Sequence, residues 1–242
     1  MKEFDIYRPT YLVSEIFLSV DGEGVTAGRP AVFIRLFGCN LRCKECDSMY
    51  SVEMVSEGAL YKKMELCDLI REVNEYDCPY VTLTGGEPLI AKDTDLLVEA
   101  LIKSGHLVNI ETNGSVDVNE FNSKLDLDED DKNKLLYTID FKCPSTGMMD
   151  NMVMKNYAFP TGCPTVIKFV VADEEDLICM LDVIRAFDLM NRTDITAIYV
   201  GPMYGRITPD EIVTFIKENR LWNVFVQIQL HKVFWPNTVK GV

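Results

Sequence analysis

The sequence predicts an α/β protein built on a parallel sheet, and three features carry that prediction. Short runs rich in β-branched and aromatic residues alternate with amphipathic helical stretches. The strand-like runs end near Gly, Asn or Pro, so each stops sharply. Strand, helix and strand then repeat about six times, which suits a full or partial barrel with its site at the carboxyl ends of the strands.

Strands are predicted over 31–37 (AVFIRLF), 80–85 (YVTLTG), 107–112 (LVNIET), 135–141 (LLYTIDF), 165–171 (TVIKFVV), 197–201 (AIYVG) and 224–230 (VFVQIQL). Helices are predicted over 60–75, 92–104, 173–188 and 209–219. The last opens with Thr208 as cap, Pro209 in the first turn and acidic residues behind it. The stretch YLVSEIFLSVDGEGVTAGRPAVFIRL reads as a hairpin-like lead-in to the first helix. No low-complexity linker divides the chain, so residues 1–242 form one domain, with a site-building segment over about 11–50.

Placing the loops on this plan gathers unusual residues at one mouth. GCNLRCKEC follows the first predicted parallel strand, TGGEP the second and ETNG the third; DFKCPS, GPMYG and QLHK end later ones. If QIQLHK is a strand, Gln227, Gln229 and His231 share a face and make a polar lining rather than a core. His106, just after Gly105, reads as a helix C-terminal contact with no chemical role.

The 242 residues carry 38 acidic and 24 basic side chains, a formal net charge of −14. No basic patch appears, which argues against nucleic-acid binding. The acidic run DLDEDD reads as a solvated loop. No apolar run spans a membrane and the N-terminus shows no apolar signal segment, so a cytoplasmic, membrane-free protein is expected.

In a reducing compartment, cysteines point to metal binding or catalysis rather than disulfides. Of the eight, Cys67, Cys78, Cys143, Cys163 and Cys179 are scattered and read as small buried hydrophobes. Cys39, Cys43 and Cys46 instead sit in a polar loop at C-x3-C-x2-C spacing. A structural zinc site takes four ligands, and the two histidines lie far off in sequence. Three thiolates suit three irons of a [4Fe–4S] cluster, leaving the fourth open for chemistry.

With GGEP after the next strand, that triplet resembles the radical S-adenosylmethionine (SAM) superfamily. The longer blocks EIFLSVDGEGVTAGRPAVFIRLFGCNLRCKECD, TLTGGEPL, IETNG, DFKCPSTG, KFVV and QLHKVFW resemble the 7-carboxy-7-deazaguanine synthase family within it, across residues 15–236. The resemblance implies a modified, incomplete (β/α)6 barrel, a [4Fe–4S] cluster, SAM and Mg2+. It implies conversion of 6-carboxy-5,6,7,8-tetrahydropterin to 7-carboxy-7-deazaguanine, with ring contraction and loss of ammonia, on the route to queuosine. A radical takes hydrogen from C6 of the pterin and SAM is regenerated. A homodimer and a flavodoxin- or ferredoxin-type reductant are implied as well.

Carried over residue by residue, Cys39, Cys43 and Cys46 match the cluster ligands. Ser48 matches a Mg2+-binding hydroxyl, usually Thr; read alone it would be a capping residue. Glu45, Cys46 and Asp47 match a stretch near adenine. Gly85, Gly86 and Glu87 match the methionine site, the glycines allowing close approach of the ligand and Glu87 accepting from the ammonium. Asp140, Phe141 and Lys142, Ser-Pro-Lys in some members, match a SAM-contacting strand end. Gly201, Pro202, Met203 and Tyr204 match an adenosine-side loop. Val20, Asp21, Gly22, Glu23, Thr84, Glu111, Asn113, His231 and Pro236 fall on the substrate side. Asp21 departs from the Gln of many members, and an ionised Asp accepts without donating. Arg35 lies in an apolar strand, where its guanidinium needs either an internal carboxylate or a ligand carboxylate. The alternatives are a different radical SAM enzyme such as a glycyl-radical activase, a non-enzymatic iron–sulfur electron carrier, or a zinc module. The first would leave VDGEG, Arg35 and QLHK unexplained.

Overall fold

In the computed structural model, which describes residues 7–52, 61–236, 238, 240 and 241, nine strands form a single sheet in the order β3-β1-β2-β4-β5-β6-β7-β8-β9. They are β1 (Thr10–Val20), β2 (Pro30–Leu36), β3 (Lys62–Glu65), β4 (Tyr80–Gly85), β5 (Leu107–Thr112), β6 (Leu135–Phe141), β7 (Thr165–Val171), β8 (Ala197–Pro202) and β9 (Val224–Val226). From β2 through β9, skipping β3, every neighbouring pair is parallel, while β1 pairs antiparallel with both β2 and β3. The curled sheet does not close on itself, as an incomplete radical SAM barrel requires.

The helices are α1 (Leu66–Asn74), α2 (Thr94–Lys103), α3 (Val118–Asn122), α4 (Glu129–Lys132), α5 (Lys155–Ala158), α6 (Glu174–Ala186), α7 (Pro209–Asn219) and α8 (Leu230–Phe234). The capping reading of α7 holds in full: Thr208 accepts from the Glu211 N–H, and Glu211 reaches back to the Thr208 N–H at 2.8 Å. The acidic run is not wholly a loop, because Asp128 accepts from the Asp131 N–H and caps the exposed turn α4.

Strand periodicity sets the layers. Ile34, Leu83, Ile110, Ile139 and Phe169 point outward and are buried with Leu97 and Leu101 of α2, Met180 and Ile184 of α6 and Ile212 of α7. Their neighbours Arg35, Thr84, Glu111, Asp140 and Lys168 therefore point inward. The register is consistent with this alternation: Arg35 lies opposite Thr84, and Asp140 opposite Lys168.

Several expectations need correction. The predicted strand 224–230 is only Val224–Val226, and His231 sits on α8, so no strand alternation aligns it with Gln227 and Gln229. The predicted helix 60–75 begins as β3, whose residues pair with β1; its residue 60 lies outside the described residues. His106 does close α2, its N–H donating to Leu101 O at 3.1 Å behind Gly105, but its ring turns to another helix. Its ring bonds Asn74 Oδ1 at the end of α1 (2.8 Å) and the Cys78 carbonyl (3.2 Å). Of the five scattered cysteines, Cys143 and Cys163 are buried, Cys78 and Cys179 are partly so, and Cys67 is exposed. Among the described residues no helix is long and apolar enough to cross a membrane.

Candidate active site

A cavity of about 430 Å3 opens at the carboxyl ends of the parallel strands, and all six loops marked in the sequence contribute to it. Of the expected residues, Val20, Gly22, Glu23, Arg35, Cys39, Cys43, Glu45, Cys46, Asp47, Ser48, Thr84, Gly85, Gly86, Glu111, Asn113, Asp140, Phe141, Lys142, Met203, Tyr204 and His231 line it. Asp21, Glu87, Gly201, Pro202 and Pro236 do not.

The cluster loop is fixed by backbone contacts. The Gly38 N–H donates to Ser51 O at 2.7 Å, and the Gly86 and Glu87 N–H groups donate to Leu36 O (3.1 Å) and Gly38 O (2.8 Å). A Cβ on Gly85 would stand 2.4 Å from Leu36 O, and one on Gly86 would stand 2.3 Å from Gly38 O and 2.7 Å from Cys39 Cβ. Both glycines are therefore required by the packing of β4 against the cluster loop, before any ligand is considered.

Cys39, Cys43 and Cys46 line the one cavity; burial pushes the Cys39 and Cys43 thiols up, and Cys46 raises both further. Lys142 opposes this at Cys43. The Cys39 sulfur accepts from Leu41 N (3.4 Å) and Asn113 Nδ2 (3.5 Å). Among the described residues no three His, Cys, Asp or Glu side chains converge on one point as a lone ion would need. Three thiols sharing one wall of a cavity fit a multi-iron cluster. The Ser48 side chain makes no capping hydrogen bond; its hydroxyl shares a hydrogen bond with Cys46 Sγ at 3.7 Å on the cavity wall, where its oxygen can also meet a hard cation.

Glu87 does not match the expectation of an ammonium acceptor. It is buried, with Oε1 taken by Leu89 N (3.0 Å) and the Thr112 hydroxyl (2.9 Å) and Oε2 by Asn113 N (2.6 Å). Burial pushes its carboxyl up to about 7 against those bonds. Its work is to tie the end of β4 to the end of β5. Asp21 likewise turns away from the cavity: its Oδ1 accepts from Thr82 at 2.9 Å, while Oδ2 is buried without a partner. Burial, and then the Glu111 carboxylate, push it up to about 6. Gly201 packs on Gln227, Pro236 is exposed, and Thr238 lines the cavity in its place.

Another stretch of the wall is held by side-chain ions. Lys168 on β7 reaches Glu23 at 3.1 Å and Asp140 at 3.7 Å, and Asp140 also takes Lys142 at 2.8 Å. Burial works against the Lys168 charge, but Glu23 and Asp140 outweigh it and raise its pKa above the ordinary lysine value. Gln227 spans the Gly24 N–H (2.7 Å) and Glu23 (3.4 Å). Asp140 Oδ1 is left buried without a partner at the cavity wall. His231 packs on Gly22, where an added Cβ would lie 2.8 Å from Nδ1, and burial lowers its pKa, favouring the neutral ring. At the mouth Arg206 pairs with Glu45, and Lys232 lies 3.8 Å from Asp47. Lys168, Lys232, Tyr50 and Arg206 were not anticipated. Lys168 had a readable signal, a lysine inside the apolar run TVIKFVV, the same anomaly that marked Arg35.

Fold and cavity define the class. Residues 33–128 match the model of the radical SAM superfamily. In structure the chain is similar to QueE from Escherichia coli, with a TM-score of 0.68, 22% identity, and coverage of 91% of this chain and 94% of that one. It is 39% identical to the 7-carboxy-7-deazaguanine synthase of Clostridium acetobutylicum, over 96% of this chain and 99% of the relative. With the corresponding synthase of Methanospirillum hungatei it shares 35% identity over 91% and 83% of the two chains. The chain belongs to the 7-carboxy-7-deazaguanine synthase family.

Proposed function

We propose that this chain converts 6-carboxy-5,6,7,8-tetrahydropterin to 7-carboxy-7-deazaguanine, with a [4Fe–4S] cluster, SAM and Mg2+ as cofactors. The observation that carries the reading is one cavity that gathers the three cluster thiols, the GG turn of β4, and a charged wall containing Arg35, Glu23 and His231. When bound, the cluster and SAM supply the radical chemistry that opens the pterin to rearrangement.

The residues divide the work. Cys39, Cys43 and Cys46 would hold the cluster, and Gly85 and Gly86 keep that loop against β4. Lys142, Phe141, Asp47, Met203 and Tyr204 shape the SAM side, where Asp140 Oδ1 is an acceptor awaiting a donor. Arg35, which lines the cavity with Nε held by Glu15, would take the substrate carboxylate on its terminal nitrogens. Glu23, partly buried and paired with Lys168, would meet the guanidine-like edge of the pterin. Thr84, Glu111, Asn113 and His231 complete that wall, and Ser48 offers one oxygen to Mg2+, which keeps waters and takes substrate oxygens besides. Residues 1–242 act as one domain, with segment 11–50 supplying the cluster loop and part of the substrate wall. A homodimer, a cytoplasmic location and a flavodoxin- or ferredoxin-type electron donor complete the proposal, supported by the family resemblance.

Anaerobic reconstitution followed by addition of reductant, SAM, Mg2+ and the carboxypterin tests this directly. Mass spectrometry is expected to find 7-carboxy-7-deazaguanine from the wild type and none from Cys43→Ala. SAM cleavage without that product would keep the radical chemistry and reject the substrate.

A further inference from the structure

We infer that Glu15 is a positioning residue that aims Arg35 at the substrate carboxylate and ties that recognition to the cluster loop. The inference rests on the proposed substrate.

It starts from an irregularity in β1. Pairing with β2 shifts register between Val13 and Glu15: Val13 lies opposite Leu36, while Glu15 lies opposite Arg35. Residues two apart on a regular strand share a face. Leu36 and Arg35 are adjacent, so their side chains point to opposite faces. The extra residue at Ser14 therefore moves Glu15 from the outward face of Val13 to the inward face of Arg35. A bulge re-aims a side chain in this way beside active sites.

Once inward, Glu15 is surrounded by donors. Its Oε1 takes Arg35 Nε at 2.9 Å and the Tyr50 hydroxyl, and its Oε2 takes the Gly241 N–H at 3.1 Å. Arg35 and Glu15 side chains are only 16% and 15% exposed, so the pair is shielded from competing water. The Lys240 ammonium lies 4.6 Å over the Tyr50 ring, bringing the C-terminal segment to the same point. Tyr50 belongs to the cluster loop, two residues beyond Ser48 and four beyond Cys46.

Among the described residues Glu15 is Arg35's hydrogen-bond partner, and it uses Nε alone. The terminal nitrogens of a guanidinium form a planar fork matched to two oxygens. A carboxylate bonded at Nε fixes the plane of that fork without filling it, and Arg35 lines the cavity. The two readings of Arg35 open at the sequence level, internal salt bridge and ligand anchor, are thus both met. Glu15 is the internal partner that leaves the ligand-binding edge vacant.

The test compares two ligands on the reconstituted, SAM-bound enzyme without reductant, so that nothing turns over. One is 6-carboxytetrahydropterin, the other tetrahydropterin without the carboxyl. The wild type should prefer the first by about ten- to hundredfold, the strength of a charge-assisted bidentate pair. Glu15→Ala should reduce the preference to below about threefold while leaving affinity for the carboxyl-free ligand unchanged. Glu15→Gln, whose amide oxygen still accepts from Nε, should retain most of it. If Glu15→Ala fails to load its cluster, Tyr50→Phe, which removes one hydroxyl, should lower the preference partway. A preference unmoved by Glu15→Ala or, failing that variant, by Tyr50→Phe, or equal weakening of both ligands, would overturn the positioning role. A wild type that binds neither pterin would reject the proposed substrate, and the inference with it.

Discussion

The two walls of the cavity are built by different physics. On the cluster side, β2, β4 and β5 meet through backbone: Gly85 and Gly86 press on Leu36, Gly38 and Cys39, and the Glu87 carboxylate is consumed by N–H and hydroxyl donors. Along β6, β7 and the turn after β1, the wall is joined through charged side chains: Glu23, Lys168, Asp140 and Lys142 form a continuous run of ion pairs. A backbone-built wall tolerates almost no change of residue, because a Cβ has nowhere to go. A side-chain-built wall accepts different residues provided charge remains balanced.

The largest effect should come from breaking the charged wall. Lys168→Met leaves Glu23 without its cation and Asp140 with Lys142 alone. Removing one partner from a buried pair costs about 3–5 kcal/mol, so chemical denaturation should show a loss of that order, with a partial return in Lys168→Arg. A loss below about 1 kcal/mol would mean the wall does not depend on charge balance.

Beneath that wall, Asp21 should show a pH signature. Its carboxyl lies at about 6 in the folded chain against an ordinary value of 3.8, so the folded state binds the proton more tightly. Stability attributable to this group is present below the ordinary value and is lost as pH rises to the folded one. The groups facing it are Thr26, Thr82, Glu111 and Arg29. Asp21→Asn should match the wild type near pH 4 and exceed it by up to about 3 kcal/mol above pH 7, as urea melts across that range would report. A variant that gains nothing at high pH would place Asp21's charge in solvent.

The backbone wall should respond to a single methyl. Gly86→Ala should cost about 1–3 kcal/mol by overpacking and lower iron content after reconstitution, because the new Cβ displaces Gly38 and Cys39. Gly201→Ala on β8, with its nearest neighbour at 3.3 Å, should stay within about 1 kcal/mol of wild type. Equal iron content in the two variants would erase the distinction between the walls.

The same distinction explains what was legible in the sequence. Cys39, Cys43, Cys46 and the GG turn could be read because rigid backbone geometry restricts residue type at fixed spacing. The parallel strands β2 and β4 to β8 could be read because they are β-branched and aromatic runs broken only by isolated polar residues, whereas β3, the charged run KKME, reads as the start of a helix. Glu87 was misread because an exposed-looking carboxylate after two glycines gives no sign that Leu89, Thr112 and Asn113 will satisfy it, and two of these are distant in sequence. His231 was misplaced because QIQLHK alternates like a strand, whereas the Leu230 N–H bonds Gly22 O at 3.1 Å and the chain turns into α8. The Ser14 bulge was invisible because alternation alone does not mark an extra residue.

The central claim is that this cavity holds the pterin with its C6 hydrogen within reach of the radical chemistry supplied at the cluster wall. Turnover with carboxytetrahydropterin deuterated at C6 tests it. The account predicts deuterium in recovered SAM, since the hydrogen is taken from C6 and SAM is regenerated. Product formed with no deuterium in SAM, and the label lost to solvent, would contradict it.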